Sequence, residues 1–305
     1  MPLLVTGTIG IDTVHTPTAS AEGVSGGSCA YFAAAAAFHH NPVRIVGVVG
    51  GDWPEEHANL LESIEGLCLE GLERRTDSKT FAWGGRYFDN MNQRETLFTE
   101  LGVLEEAPPE VPETYRDSRI IFLANSHPSI QLDLLNQFPN RTLAVADTMD
   151  LWINIARDDL TALFKQIDGL IINDSESEQL TNQSDPIVAA KELITLGPQF
   201  VIVKRGEHGA ILVHPDGELI LPAFTLESSQ VVDPTGAGDS FAGGFLGYLA
   251  SCETIDFNSM KEAMAWGTVT ASFTLQSFGL EGLASTSKDE LHDRMKRFKQ
   301  YAGVC

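Results

Sequence analysis

The sequence predicts an α/β fold in which a largely parallel sheet is covered by helices. Apolar runs of strand length alternate with amphipathic helical segments along most of the 305 residues, which is typical of strands joined by helical crossovers. A chain of this length buries a substantial core in one large unit or two modest domains.

Six apolar runs are predicted to form the strands of that sheet. They are LLVTGTIGI (3–11), VRIVGVVG (43–50), RIIFLAN (119–125), TLAVADT (142–148), GLIIND (169–174) and QFVIVKRG (199–206). Segment 156–168 between two of them predicts a helix with one apolar face, formed by Leu160, Leu163, Phe164 and Ile167. The last helix is predicted to begin with a capping box of Ser287 and Glu290.

Two segments interrupt the alternation, at about 11–24 and 78–104, and are predicted to form a small β lid. The first is polar, and the second predicts a hairpin that turns near 90–93. Neither has enough apolar alternation to build a core of its own, so we expect one domain, 1–305, with the lid inserted in it. A lid indicates a site that closes over its substrate.

The composition argues against several classes of partner. The formal net charge is −22, and such a surface repels nucleic-acid phosphates and anionic lipids. The four cysteines lie far apart without metal-ligand spacing, and MPLLVTGTIGID at the N-terminus has no basic segment leading into an apolar one. We therefore expect a cytoplasmic protein with reduced thiols and with no nucleic-acid or membrane partner.

The stretch VVDPTGAGDSFAGGFLGYLA, 231–250, passes from a strand through Pro and Gly into a helix of small residues. Gly236 and Gly238 allow several backbone N–H groups, including that of Ala237, to point into one space beside a helix N-terminus. This geometry predicts an anion hole for a phosphoryl group in transfer. A phosphate would repel Asp239 unless that residue accepts a proton, so Asp239 is a candidate general base. The alternative is an ordinary helix N-cap.

A second polar element is INDSESEQL, 172–180. Asn173 and Glu176 follow a buried strand and lie three residues apart where a helix begins, so both side chains face the ligand crevice at the carboxyl end of the sheet. An amide oxygen and a carboxylate suit hydrated Mg²⁺, which needs few protein ligands. The alternative is a cap made by Asp174 or Ser175 with a solvated acidic first turn.

A third element is SGGSCAYFAAAAAFHH, 25–40. Gly26 and Gly27 precede a helix of small residues, so the first N–H groups of that helix are accessible to the hydroxyls of a ligand. Asp12, at the end of the first predicted strand, is a bidentate acceptor for a diol. Helix propensity and tight packing account for the alanine run 33–37, but not for the glycine pair.

Taken in chain order, the three elements resemble the ribokinase-like (PfkB) family of carbohydrate and nucleoside kinases. The resemblance extends over nearly the whole chain, includes KRGEHG (204–209) and is most specific in DPTGAGDSFAGGF (233–245). It implies a three-layer α/β/α sandwich with a mostly parallel central sheet and a small β lid. It also implies Mg·ATP-dependent phosphorylation of a hydroxymethyl group of a nucleoside or sugar.

Position by position, the resemblance implies a role for each matching residue. Asp239 would be the base beside the anion hole, Asn173 and Glu176 would organise Mg²⁺ through water, and Asp12 with the glycine pair would hold the acceptor. The residues implied near the nucleotide are Lys204, Gly206, Gly209, Thr235, Thr268 and Gly279, with 265–279 lining the adenine pocket. Some relatives bind a monovalent cation such as K⁺ at positions matching Asp233 and Thr235, and lid-mediated homodimers are common in similar proteins.

The acceptor-binding positions depart from the family pattern. Members that act on simple sugars often carry Asn a few residues after the glycine pair, where this chain has Tyr31 and Phe32. The family pattern D-x-N-x-R appears here as DTMDLW, with Met149 replacing the Asn and Trp152 close by. Sugar specificity therefore does not carry over to this chain.

The lid sequence favours a ribonucleoside acceptor. Strand alternation places Phe81 and Trp83 on one face, and aromatic stacking on a base contributes roughly 1–3 kcal/mol; packing of these rings within the lid is the alternative. Tyr31 and Trp83 are therefore candidate contacts for the acceptor.

Other acceptors and classes stay open. Arg86 and Arg94 suggest a sugar phosphate, because guanidinium groups bind phosphate, and a plain sugar is a further alternative. A catalytically idle ligand-binding relative is the different class, against which the intact base, anion hole and metal element argue. The chain has no G-x-G-x-x-G and no G-x-x-x-x-G-K-[ST], so dinucleotide-dependent and P-loop chemistry are excluded.

Overall fold

The computed structural model describes residues 1–303. Within this range the strands are β1 (Leu3–Thr6), β2 (Gly10–His15), β3 (Ser20–Gly26), β4 (Val43–Gly50), β5 (Leu67–Arg75), β6 (Phe81–Tyr87), β7 (Arg94–Glu100), β8 (Ile120–Leu123), β9 (Leu143–Ala146), β10 (Gly169–Asn173), β11 (Phe200–Lys204), β12 (Ala210–His214) and β13 (Gly217–Leu221). The helices are α1 (Ser28–Ala36), α2 (Glu55–Ser63), α3 (Pro128–Leu135), α4 (Asp150–Ile155), α5 (Arg157–Phe164), α6 (Asp174–Thr181), α7 (Pro186–Ile194), α8 (Ala237–Ser251), α9 (Phe257–Thr274), α10 (Glu281–Ser285) and α11 (Lys288–Ala302).

The central sheet has the strand order β13-β12-β11-β10-β9-β8-β1-β4-β5. All of its pairs are parallel except β11 with β12 and β12 with β13. Successive residues of its strands point to opposite faces, so Leu3 and Val5 enter one buried cluster while Leu4 enters another. Both faces are covered by helices, which explains why the inner strands are continuous apolar runs. The predicted three-layer sandwich is confirmed.

Helices α1 and α8 pack together with very little space between their backbones. A Cβ atom on Gly243 would lie 2.3 Å from the backbone oxygen of Phe32, and one on Gly247 would lie 2.8 Å from that of Ala36. The alanines of α1 are almost completely buried in the same interface. The small residues of both helices therefore serve close packing, as expected for the alanine run.

The predicted strand 3–11 is wrong as a single element, because the chain leaves the central sheet after Thr6. Gly7 lies against Ala124, where an added Cβ would come within 2.7 Å of the Ala124 Cβ. The chain resumes as β2, which belongs to a second sheet with the order β3-β2-β6-β7. Asp12 consequently lies in the lid and not at the end of the first strand of the central sheet.

The second sheet forms the lid. Strand β2 pairs antiparallel with β3 and parallel with β6, and β6 and β7 make an antiparallel hairpin that turns through 88–93 as expected. The register between β6 and β7 shifts at Gly84 and Gly85. The lid strands run from 10 to 26 and from 81 to 100.

Two further expectations about the helices are confirmed. Ser287 and Glu290 form the predicted capping box at the start of α11, and the predicted apolar face of α5 is buried.

In the described part of the chain, 1–303, no helix combines the length and apolar character needed to cross a bilayer.

The tight contact between α1 and α8 gives a first prediction. Gly to Ala at an open helix position stabilises a protein by roughly 0.5–1 kcal/mol, but at Gly243 the methyl group would collide with the Phe32 carbonyl. We expect Gly243→Ala to lower the free energy of unfolding by about 1–3 kcal/mol, as overpacking does, measured by urea denaturation. Ser251→Ala at the exposed end of α8 should change it by less than about 0.5 kcal/mol. A stabilised Gly243→Ala would contradict the packing described.

Candidate active site

The candidate site is a cavity of about 1620 Å³ at the carboxyl ends of the parallel strands. Lys204 ends β11, Asn173 ends β10, Asp147 follows β9 and Asn125 follows β8, and all four line the cavity. Because these strands are neighbours in the sheet, the four residues form a row along its edge in that order. This edge is where ligands bind in open α/β sheets.

Asp239 lies in the first turn of α8, two residues after its start. Gly236 occupies the N-cap position with the left-handed φ of 75°, so the alternative that Asp239 is the N-cap is wrong. A side chain at Gly236 would also meet the ring of Tyr31, since an added Cβ lies 2.4 Å from three ring atoms. Burial raises the pKa of Asp239, while the charges of Lys204 and Arg94 oppose that rise.

The predicted anion hole has a cation beside it. The N–H groups of Gly236, Ala237 and Gly238 belong to the N-terminus of α8, where the helix dipole is positive. The Ala237 N–H already donates to the Pro234 carbonyl at 3.2 Å, so those of Gly236 and Gly238 remain for an anion. The Nζ atom of Lys204 is so close to Gly238 that a Cβ there would lie 2.7 Å away. Lys204 thus faces the cavity and does not pack beneath the sheet.

Asp147 is a site residue that the sequence reasoning did not assign. It is buried beside Asp239, and burial followed by the Asp239 charge raises its pKa well above the usual value. Two neighbouring buried carboxyl groups do not both ionise readily, so this pair favours holding one proton between them. The available signal was its place as the first residue of the altered D-x-N-x-R pattern.

The predicted magnesium residues hold each other in place. Asn173 Oδ1 accepts from the Glu176 N–H at 2.7 Å, and Glu176 Oε2 accepts from the Asn173 N–H at 2.8 Å. The cap of α6 is therefore made by Asn173 and Glu176 themselves, and the alternative cap by Asp174 or Ser175 is wrong.

The Asn173 and Glu176 pair fits a hydrated cation. Glu176 is buried, and burial raises its pKa to about 7 although the Lys204 charge opposes this. Its Oε1 atom is not used by the cap, and a cation nearby would stabilise the ionised form. No group of three or more His, Cys, Asp or Glu residues converges on a metal position within 1–303, but Mg²⁺ bound through its own water does not require one.

The predicted acceptor residues Asp12, Gly26 and Gly27 come together where β2, β3 and α1 meet. Asp12 accepts a hydrogen bond from the Gly27 backbone, and a Cβ on Gly26 would lie 2.0 Å from Asp12 Oδ2. Burial, followed by the charges of Asp233 and Asp239, raises the pKa of Asp12 to about 8. Within residues 1–303 its Oδ1 atom and the Tyr31 hydroxyl are buried without a hydrogen-bond partner, which is the condition that ligand hydroxyls would relieve.

The lid contributes Tyr87 and Arg94 to the cavity. Thr235 Oγ1 donates to the Tyr87 hydroxyl at 3.2 Å, and the Arg94 guanidinium lies close to the same hydroxyl. The Arg94 guanidinium lies 5.4 Å from the centre of the Trp83 ring. Arg94 is thereby held over the reacting end of the site, between the lid and the anion-hole loop.

The two lid arginines occupy different environments. Arg86 is exposed, pairs with Glu95 at 3.1 Å and does not line the cavity formed by residues 1–303, so it lies outside the site where the sequence analysis expected it. Arg94 lines the cavity. Trp83 also lines the cavity, but its ring lies against Gly85, where an added Cβ would be 2.0 Å from the ring.

The expected nucleotide residues are mostly brought together. Gly206, Gly209 and Thr268 line the cavity with Thr235 and Lys204. Gly279 does not line it: an added Cβ there would lie 3.0 Å from the backbone oxygen of Ser25 and 3.4 Å from Val24, because this turn packs against β3. The lid tip reaches the opposite side, where Asn92 Nδ2 donates to Glu207 Oε1 at 3.0 Å.

The predicted monovalent-cation residues are adjacent and buried. Asp233 Oδ1 accepts from the Thr235 N–H at 2.8 Å, and burial raises the pKa of Asp233. Asp233 Oδ2 is buried and has no hydrogen-bond partner among the described residues. A cation at this oxygen stays a prediction.

Comparison with known proteins identifies similar chains. A family model described as pfkB family carbohydrate kinase matches residues 114–287. A cytidine kinase of Thermococcus kodakarensis is 30% identical over 280 residues, covering 88% of this chain and 98% of that protein.

Two solved structures share the fold. A nucleoside kinase of Burkholderia thailandensis in complex with inosine superposes with a TM-score of 0.80 at 19% identity, covering 98% of this chain and 99% of that one. A ribokinase of Cryptococcus neoformans var. grubii in complex with ADP gives 0.79 at 20% identity, with 96% and 99% coverage. The predicted fold class and the predicted resemblance are confirmed.

The raised pKa of Asp12 predicts a pH-dependent stability. Between the ordinary Asp pKa of 3.8 and about 8, the unfolded chain releases this proton while the folded ligand-free protein keeps it. The unfolded state then binds fewer protons, so the contribution of Asp12 to the free energy of unfolding falls as pH rises. We expect Asp12→Asn to gain stability over the native protein from pH 5 to pH 8, measured by urea denaturation. Asp133→Asn, at an exposed position, is the control. If the free energies of unfolding of Asp12→Asn and the native protein differ by the same amount from pH 5 to pH 8, the raised pKa of Asp12 is contradicted.

Proposed function

Because this chain belongs to the pfkB family of carbohydrate kinases, we propose that it is a Mg·ATP-dependent nucleoside kinase that phosphorylates the hydroxymethyl group of the ribose. The chain is a phosphotransferase with a sugar or nucleoside hydroxyl as acceptor. The nucleoside as the acceptor, ATP as the phosphoryl donor and Mg²⁺ as the metal cofactor are proposed. One observation supports the mechanism above all: Asp239 lies in the first turn of α8 beside the Gly236 and Gly238 amides and Lys204, with the buried Asp147 carboxyl group next to it.

The proposed reaction follows from these positions. The acceptor hydroxyl gives its proton to an Asp239 oxygen as its own oxygen forms a bond to the γ-phosphorus, and the bond from that phosphorus to the bridging oxygen of ADP breaks. A proton kept on the neighbouring Asp147 would leave Asp239 ionised to receive the hydroxyl proton. The amides of Gly236 and Gly238 and the Lys204 ammonium stabilise the charge on the transferred group.

Mg²⁺ fits next to this centre. Asn173 and Glu176 would hold it through water, since their cap fixes both side chains and leaves Glu176 Oε1 free. When bound, the ion would neutralise phosphate charge. At the other end, the unpartnered Asp12 Oδ1 and Tyr31 hydroxyl would hold the ribose hydroxyls.

A nucleoside is favoured over a plain sugar by the cytidine kinase, a relative that matches over nearly its full length. Of the positions that depart from the family's sugar pattern, Tyr31 and Met149 line the cavity, whereas Phe32 stacks on Phe122 in the core. Cytidine is therefore the first acceptor to test.

The base assignment is tested by Asp239→Asn. We expect turnover with Mg·ATP and cytidine, followed by coupled ADP release, to fall by about 10²–10⁴-fold, the range of general-base contributions. Calorimetry should still show ATP binding, because the amides and Lys204 remain. Asp158→Asn, on the exposed face of α5, is the control. Near-normal turnover of Asp239→Asn would refute the mechanism.

The lid arginines give a matched pair of variants. Arg94 lines the cavity close to the Tyr87 hydroxyl, whereas Arg86 pairs with Glu95 outside it. Water screens the exposed Arg94 charge, so we expect Arg94→Ala to lower kcat/KM by about 10-fold, the equivalent of 1.36 kcal/mol. Arg86→Ala should change it by less than about 2-fold. Equal losses in both variants would show that the two arginines do not differ in role.

A further inference from the structure

In addition to Asp147, four side chains meet at the carboxyl ends of β8 and β9. We call Asn125, His127, Met149 and Trp152 the Asn125 cluster; all four line the cavity and all are partly exposed. None of them has a role in the phosphoryl transfer described above.

Hydrogen bonds fix the cluster in one arrangement. The Trp152 indole Nε1 donates to Asn125 Oδ1 at 2.9 Å, and Asn125 Nδ2 donates to Met149 Sδ at 3.1 Å. The His127 ring meets the Trp152 ring edge-on, with ring centres 5.0 Å apart. A partly exposed indole and a polarisable thioether, held rigidly, make an apolar surface suited to a flat ring.

The sheet order places this surface at the acceptor end of the cavity. The nucleotide residues Lys204, Gly206 and Gly209 lie at β11 and β12, and Asn173 follows at β10. Asp147 at β9 contacts the base Asp239, so the reacting oxygen lies there. The Asn125 cluster begins at the next strand, β8, on the side away from the nucleotide.

The lid aromatics are less suited to bind a base, because their rings are already in contact. The Trp83 ring lies against Gly85 and beneath the Arg94 guanidinium. The Phe81 ring lies against Gly10, where an added Cβ would be 2.7 Å from it. These contacts favour the alternative that both rings pack within the lid, whereas the Trp152 ring meets His127 edge-on and lines the cavity.

We infer that the Asn125 cluster binds the nucleobase of the acceptor, with the base stacked on Trp152 and its polar edge facing Asn125. This inference rests on the proposed nucleoside kinase function. The Asn125 amide retains one N–H and one oxygen lone pair after its bonds to Met149 and Trp152, which are a donor and an acceptor for a base edge.

The test compares Trp152→Leu with Trp152→Phe and uses Trp83→Leu as the matched tryptophan control. The acceptors are cytidine, uridine, adenosine and ribose, and Kd values for cytidine are measured by calorimetry without ATP. We expect Trp152→Leu to raise the Kd and KM for the nucleosides by about 10-fold or more, as lost stacking does. The KM for ATP and the melting temperature should stay close to those of the native protein, and Trp152→Phe should recover most of the affinity.

Trp83→Leu should not weaken cytidine binding relative to ribose binding, because the Trp83 ring contacts the Arg94 guanidinium and not the base. Unchanged nucleoside affinity in Trp152→Leu, in an enzyme that phosphorylates cytidine, would overturn the base site and leave the proposed function intact. A native enzyme that phosphorylates ribose and no nucleoside would overturn both. A loss in Trp83→Leu with Trp152→Leu unaffected would assign the base to the lid.

Discussion

The structure depends on the gathering of four carboxyl groups in one cavity, where burial makes their charges costly. They are Asp12, Asp147, Glu176 and Asp239, and burial is the largest cause of a raised pKa in each. Within residues 1–303, the cations that oppose this rise are Lys204 and Arg94. A site that must also admit a polyphosphate therefore needs further positive groups, which backbone amides and a bound cation supply.

This constraint accounts for the glycines around the cavity. Gly236 and Gly238 expose amides at the start of α8 and leave room for Tyr31 and Lys204, respectively. Gly26 leaves room for the Asp12 carboxylate, and Gly27, with φ of 95°, brings its N–H to the same group. The glycines let the chain bring backbone donors to carboxyl groups that few side-chain cations reach.

The sequence was sufficient for the fold class and for motifs whose chemistry lies within a few consecutive residues, as in 231–250 and 172–180. It was insufficient where the answer depends on which elements are neighbours in space. Asp147 meets Asp239 because the loop after β9 lies next to the start of α8, although the two are far apart in the sequence. Arg86 pairs with Glu95 whereas Arg94 pairs with Tyr87, so the two arginines lie on opposite faces of the hairpin, and the sequence alone does not specify this pairing.

The lid links the two ends of the site. At one end β2 carries Asp12, and at the other the lid tip donates from Asn92 to Glu207 beside the nucleotide turn. Between them, Tyr87 bonds to Thr235 of the anion-hole loop and holds Arg94 over the carboxyl groups. One cover thus contacts the acceptor residues, the transfer centre and the nucleotide turn together, so the lid position that brings Asp12 to the acceptor is also the one that brings Arg94 to the transfer centre.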